Sequence, residues 1–191
     1  MLFLLKRKWG TALLGLMVLG LLGVGCRLLL STGPDVGVSA HNALLGLGLF
    51  TAILVSDGII HVALSLAFGE HYLARYRDLA RLFGGQTAGA MLAGAAMAGV
   101  GEELLFRGIS IQPSALIIGA AIFGAFHHVG RRFWPFTIWS GYQGLLLAAG
   151  IYFTEALFVT MIAHFLHDLC GFLIFRWLNR GKQANNLVLG E

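Results

Sequence analysis

Glu102 and Glu103 stand side by side in an apolar run, residues 91–111, that also carries Arg107. Two later apolar runs bear His127 with His128, and His164 with His167 and Asp168. Ionisable side chains at membrane depth are costly, and they mark functional sites by default. Together these residue types point to acid–base chemistry. A carboxylate or imidazole can move a proton, and N–H groups can hold developing negative charge.

Helical spacing decides which of these groups can meet. Glu103 and Arg107 are four apart, share a face and can pair. Glu102 is rotated by about 100° from Glu103, so the two carboxylates are expected to point different ways. One would be held by Arg107 as structure, and the other would face a polar cavity as a base. His127 and His128 also face apart, so only one reaches a bundle interior. His164 and Asp168 are four apart and can touch, with His167 on a nearby face. An imidazole oriented by a carboxylate suits a proton shuttle, an oxyanion donor or a metal ligand. Each motif also has a plainer reading: a buried ion pair, a hydrogen-bonded histidine, or a polar pair joining two helices.

The elements that position these groups follow from composition. Of 191 residues, 58% are hydrophobic and 12% charged, far from a soluble balance. Runs near the length that crosses a bilayer fall at 9–31, 43–68, 87–111, 114–130, 133–153 and 155–177. The basic residues Lys6, Arg7, Lys8, Arg75, Arg77, Arg81, Arg131, Arg132, Arg176, Arg180 and Lys182 all fall on one side if there are six crossings. Lys and Arg are retained on the cytoplasmic side, so the expectation is an all-α, polytopic bundle of about six spans with both termini cytoplasmic. The net charge of +4 reflects that asymmetry, suits anionic headgroups and gives no case for nucleic acid.

Lys6–Lys8 before an apolar run ending at Cys26 could imitate a signal sequence. Because the run continues through Leu28–Leu30, it reads as a retained helix whose Arg27 snorkels to the interface. Cys26 and Cys170 show no disulfide pattern and read as small buried hydrophobes. Residues 69–85 alternate apolar and basic positions at helical spacing and read as an interfacial amphipathic helix. Ala90, Gly94 and Ala98 have small-xxx-small spacing for close helix approach. The resulting division is 1–86 (two helices and the interfacial linker), 87–178 (a four-helix core) and 179–191 (a cytoplasmic tail, frayed from 183). Counting helical rise from turns near Pro113 and Thr154 puts Glu102 roughly 14 Å and His164 roughly 15 Å deep. They can meet, whereas His127 comes out roughly 6 Å deeper and needs a tilt or a bent stretch at 110–114.

Glu102-Glu103-Leu-Leu-Phe-Arg107 followed by Gly108, then Phe123-x-x-x-His127, then His164-x-x-x-Asp168, resembles the CPBP intramembrane proteases, also called the CAAX protease and bacteriocin-processing family. The resemblance covers 87–177 and leaves the first two helices unmatched. It implies a protease in which Glu102 activates a water, helped by His127. His164 and Asp168 would stabilise the oxyanion, while Glu103 and Arg107 orient the site. Two departures stand out: Asp168 occupies a position where relatives often have Asn, and His128 and His167 are extra. Because an ionised Asp168 would repel an oxyanion directly, it is expected to act through His164.

The expected reaction uses no cofactor, with zinc held by Glu102, His127 and His164 as the alternative. A Glu102 serving as base is not simultaneously an ordinary ligand. The expected partners are the lipid bilayer and a membrane-associated peptide or protein, in a prokaryotic plasma membrane, with CAAX-type trimming as one substrate class. Two rivals stand beside this reading. One is an ion-coupled transporter or proton relay, prompted by Asp57 and His61 at i, i+4 spacing; their plainer reading is interhelical contact at the rim of the catalytic pocket. The other is a non-catalytic immunity or scaffold protein.

Overall fold

A computed structural model describes residues 18, 20–25, 28 and 33–189, with side chains through residue 179. Lys6–Lys8, Cys26, Arg27 and most of the first expected helix lie outside the described residues. The helices are α1 (Ala40–Phe83), α2 (Ala88–Met97), α3 (Glu103–Phe106), α4 (Pro113–Phe126), α5 (Trp134–Thr154) and α6 (Leu157–Leu189). A π-helical turn, Ala98–Glu102, joins α2 to α3, and a 3-10 turn, Arg131–Phe133, leads into α5. The all-helical expectation holds among the described residues, apart from one isolated bridge between Asp35 and Ala156. Where fraying was expected, the C-terminal helix continues to Leu189.

Local chemistry explains the ends. The Ser39 hydroxyl caps α1 by accepting from the Asn42 N–H at 3.1 Å, and the Thr87 hydroxyl caps α2 by accepting from the Ala90 N–H at 3.2 Å. Proline opens α4 and α5, where its missing N–H costs nothing. The first N–H groups of α6 are satisfied from a distance: Leu157 donates to Asp35 O and Phe158 to Val36 O, both at 2.9 Å.

α1 is broken at Gly69 (φ 51, ψ −133), a left-handed conformation that glycine adopts without Cβ strain. That break separates the apolar half from the basic amphipathic stretch, as the sequence pattern expects. Arg77 pairs with Glu70 at 2.5 Å, and Asp78 pairs with both Arg81 and Arg132. The basic second half of α1 and the basic turn before α5 therefore meet at one end of the bundle.

The burial pattern is inverted relative to a soluble protein. Glu103, Arg107 and His164 are 0%, 1% and 3% exposed, while Leu66, Phe153 and Trp177 are 83%, 80% and 73% exposed. Lipid is the solvent that accommodates such a surface, and packing rather than the hydrophobic effect then holds the helices together. By length and composition α1, residues Ala88–Phe106 and residues Leu157–Asn179 can cross a membrane; α4 is apolar but shorter. Ile53, Leu147 and Ala163 pack α1, α5 and α6 together, and Leu116, Ala148, Ile151 and Leu157 join α4, α5 and α6. Between α4 and α5, Gly124 lies so close to Gly141 that a Cβ on Gly124 would come within 2.8 Å of the Gly141 Cα.

Candidate active site

The π turn sets up the site. Its sequence, Ala98-Gly-Val-Gly-Glu102, is mostly small, and a Cβ on Gly99 would fall 2.8 Å from the Phe165 Cβ and backbone N. The backbone that carries the glutamates is thus pressed directly against α6. Of the small residues expected to make this approach, Gly94 has only ordinary contact with Phe172. A π turn widens the helix by one residue, a device frequent at functional sites. Beyond α3, the Arg107 and Gly108 N–H groups both donate to Glu103 O at 2.9 Å, and a Cβ on Gly108 would strike the Leu104 carbonyl. Gly108 thereby closes the helix behind Arg107.

Glu103 is the hub of the buried network. Its Oε1 accepts from Arg107 Nη1 at 2.5 Å and from His164 Nδ1 at 2.8 Å. Arg107 Nη2 donates across the bundle to Gly144 O at 3.1 Å, tying α3 to α5. The expected Glu103–Arg107 pair is therefore present, and it also fixes the ring of His164. Phe123 fills the space beneath: its ring lies 4.9 Å from the Arg107 guanidinium, 4.4 Å from the His127 ring and 5.6 Å from the His164 ring. The sequence motif contained Phe123 without assigning it a part. Its aromatic face, central between three ionisable side chains, is that part.

Glu102 approaches the other nitrogen of the same imidazole. Its Oε2 lies 3.9 Å from His164 Nε2, and the Asp168 Oδ2 lies 3.7 Å from it. The two glutamates flank one ring from its two nitrogens. Glu102 (φ −72, ψ −37) and Glu103 (φ −63, ψ −42) are both helical, so the rotation of about 100° between them puts their carboxylates on different sides of that ring. Glu102 Oε2 is buried and has no hydrogen-bond partner, whereas buried carboxylate oxygens normally have one. His127 Nδ1 donates to the Phe123 carbonyl at 2.8 Å, which leaves Nε2 as its free nitrogen. It lies within electrostatic reach of Glu102 and Asp168. His127 stands half-exposed at the end of α4. His128 turns to the surface, against Thr137 Oγ1 at 3.1 Å.

Asp57 and His61 do not form the pair that their spacing allows. His61 Nδ1 lies 2.9 Å from the Tyr72 hydroxyl, beyond the Gly69 break. Asp57 instead accepts from Trp139 Nε1 at 3.0 Å, from Gln143 Nε2, and from His167 Nε2 at 2.8 Å. The interhelical reading of Asp57 thus holds, and the transporter reading loses the pair that prompted it. The only sequence sign of this role was an acid in an apolar run. Cys170 is a partly buried free thiol.

Among the described residues, no group of three or more His, Cys, Asp or Glu side chains is arranged to hold a metal ion. Glu102 Oε2 and His164 Nε2 stand 3.9 Å apart, a separation that two zinc bonds of about 2.0–2.3 Å can nearly span, and His164 Nδ1 is held by Glu103.

A helical bundle with an apolar outer surface and three helices long enough to cross a bilayer is an integral membrane protein, here with acids, imidazoles and a guanidinium buried in one centre. Residues 84–170, just under half of the chain, match the family model described as type II CAAX prenyl endopeptidase Rce1-like, a model of the CPBP, or CAAX protease, family. Comparison with curated proteins and with solved structures returned no match. The matched segment contains every residue of the three motifs and excludes α1.

Proposed function

We propose that the chain is an intramembrane endopeptidase that hydrolyses a peptide bond in a membrane-associated peptide or protein by glutamate-activated water. The observation that carries this reading is Glu102 Oε2, a buried carboxylate oxygen with no partner, 3.9 Å from His164 Nε2. That oxygen is free to take a proton from a water held between Glu102 and His127 Nε2. As hydroxide attacks the scissile carbonyl, its oxygen becomes an oxyanion. With His164 Nδ1–H committed to Glu103, a second proton on Nε2 makes that nitrogen the oxyanion donor. Asp168, 3.7 Å away, favours a proton there, so it acts through His164. Glu102 then passes its proton to the leaving amine, and the C–N bond breaks. Glu103 and Arg107 are positioning residues, which hold His164 through the 2.8 Å contact. The family description favours the C-terminal trimming of CAAX-type chains as the reaction class.

The topology that suits this chemistry has six crossings with both ends on the basic, cytoplasmic face of a prokaryotic plasma membrane. The shared Asp78 partners Arg81 and Arg132 support it, because they bring two basic clusters to one end. In this scheme 1–86 supplies two helices and an interfacial segment, and 87–178 supplies the catalytic core. The test compares peptide termini in the membrane and secreted fractions of cells carrying the wild-type protein or Glu102→Gln. New termini in the wild type alone support an endopeptidase. Identical termini in both, with a phenotype that Glu102→Gln retains, would contradict it and favour a scaffold.

A further inference from the structure

Asp168 lies between two imidazoles. Oδ2 lies 3.7 Å from His164 Nε2, and Oδ1 lies 3.6 Å from His167 Nδ1. Its side chain is 27% exposed, so packing alone does not fix it. The far side of the His167 ring is anchored firmly: Nε2 donates to Asp57 Oδ2 at 2.8 Å, and the other Asp57 oxygen accepts from Trp139 and Gln143. The Trp139 and His167 rings also pack 5.6 Å apart. An unbroken chain of contacts therefore runs from Asp57 on α1, through His167 and Asp168, to His164 and on to Glu103 and Arg107.

We propose that Asp57, on α1 and outside the family-matched segment, is a positioning residue for the reaction centre, holding Asp168 against His164 through the imidazole of His167. This rests on the reading of His164 as the oxyanion donor. Asp57 accepts from Nε2–H, and on the doubly protonated ring Nδ1–H points toward Asp168; the carboxylate then sits between two imidazoles instead of swinging to the open side. The acid at 168 stands beside the histidine at 167, with α1 supplying the anchor. The catalytic centre is consequently complete only when α1 is packed on α5 and α6.

His167→Gln separates positioning from helix-to-helix adhesion, because the Gln amide N–H can still donate to Asp57 while nothing replaces Nδ1 facing Asp168. Partners that orient a functional ligand are typically worth ~10–100-fold in activity. For purified full-length protein we expect kcat for a membrane peptide to fall by that factor, with KM within about twofold and an unchanged unfolding temperature. In an Asp168→Asn background the same substitution should cost less than about twofold, since its effect runs through Asp168. Glu102→Gln serves as the parallel control. Wild-type kcat in His167→Gln while Glu102→Gln is inactive would overturn the positioning role and leave the protease reading intact. An equal loss from His167→Gln with Asp or Asn at 168 would also overturn it, by showing an effect that does not pass through Asp168. Full hydrolysis by Glu102→Gln would overturn the protease mechanism itself.

Discussion

Removing Arg107 tests the buried network at its most loaded point. Arg107 and Glu103 are 1% and 0% exposed, joined at 2.5 Å, and the same guanidinium reaches Gly144 O at 3.1 Å. Arg107→Ala leaves Glu103 buried without its guanidinium partner, a change that costs about 3–5 kcal/mol when one member of a buried pair is lost. The lost bond to the Gly144 carbonyl and the emptied face of Phe123 add to this rather than relieve it. For a chain of this length 1 kcal/mol corresponds to about 2–4 °C, so the unfolding temperature should drop by roughly 6–20 °C. Intrinsic tryptophan fluorescence of the detergent-solubilised protein during heating reads it directly. Arg107→Lys keeps the charge but not the two-pronged donor geometry, and should fall between. The double variant Arg107→Met with Glu103→Leu should regain part of the stability, because a buried pair can often be replaced by apolar groups at little cost. It should not regain hydrolysis, since His164 Nδ1 loses its acceptor. An Arg107→Ala protein that melts within about 2 °C of wild type would refute the reasoning.

Gly99→Ala should push the π turn off Phe165, costing about 1–3 kcal/mol as an overpacked contact. It should lower kcat more than KM, as Glu102 and His164 separate; an unchanged kcat would count against the π turn as the positioning device. Dialysis against a chelator should leave hydrolysis intact, whereas a loss restored by zinc alone would return Glu102, His127 and His164 to a ligand role. With Cys26 and Cys170 replaced by Ala, single cysteines at Arg75 and Arg131 should react with an impermeant maleimide from one face of the membrane. Cysteines at Ser114 and Glu155 should react from the other, and any mixed pattern would contradict the six-crossing topology.

What the sequence could reveal divides along local and non-local lines. The Glu103–Arg107 pair was legible because four residues is one helical turn, and the meeting of the glutamates with His164 was legible from depth counting. The placement of both glutamates about one imidazole was not, because it depends on how α6 packs against the Ala98–Glu102 turn, a contact between residues far apart in sequence. Asp57 illustrates the same limit. Spacing suggested His61, but the partners lie on α5 and α6, and the break at Gly69 gives His61 a neighbour in Tyr72. Among the described residues, helix positions followed the apolar runs closely. Where each helix ends depended on single residues such as Glu155, whose left-handed φ of 53 closes α5.

The central claim is that the two adjacent glutamates have different jobs. The most direct measurement is the single-turnover rate of peptide cleavage by purified Glu102→Gln, with an unfolding temperature matching wild type as the sign of an intact fold. A general base contributes ~10²–10⁴-fold, and a loss of that size is the expected result. Cleavage within about twofold of the wild-type rate, far inside the range a general base supplies, would contradict the assignment of Glu102 as the group that activates water.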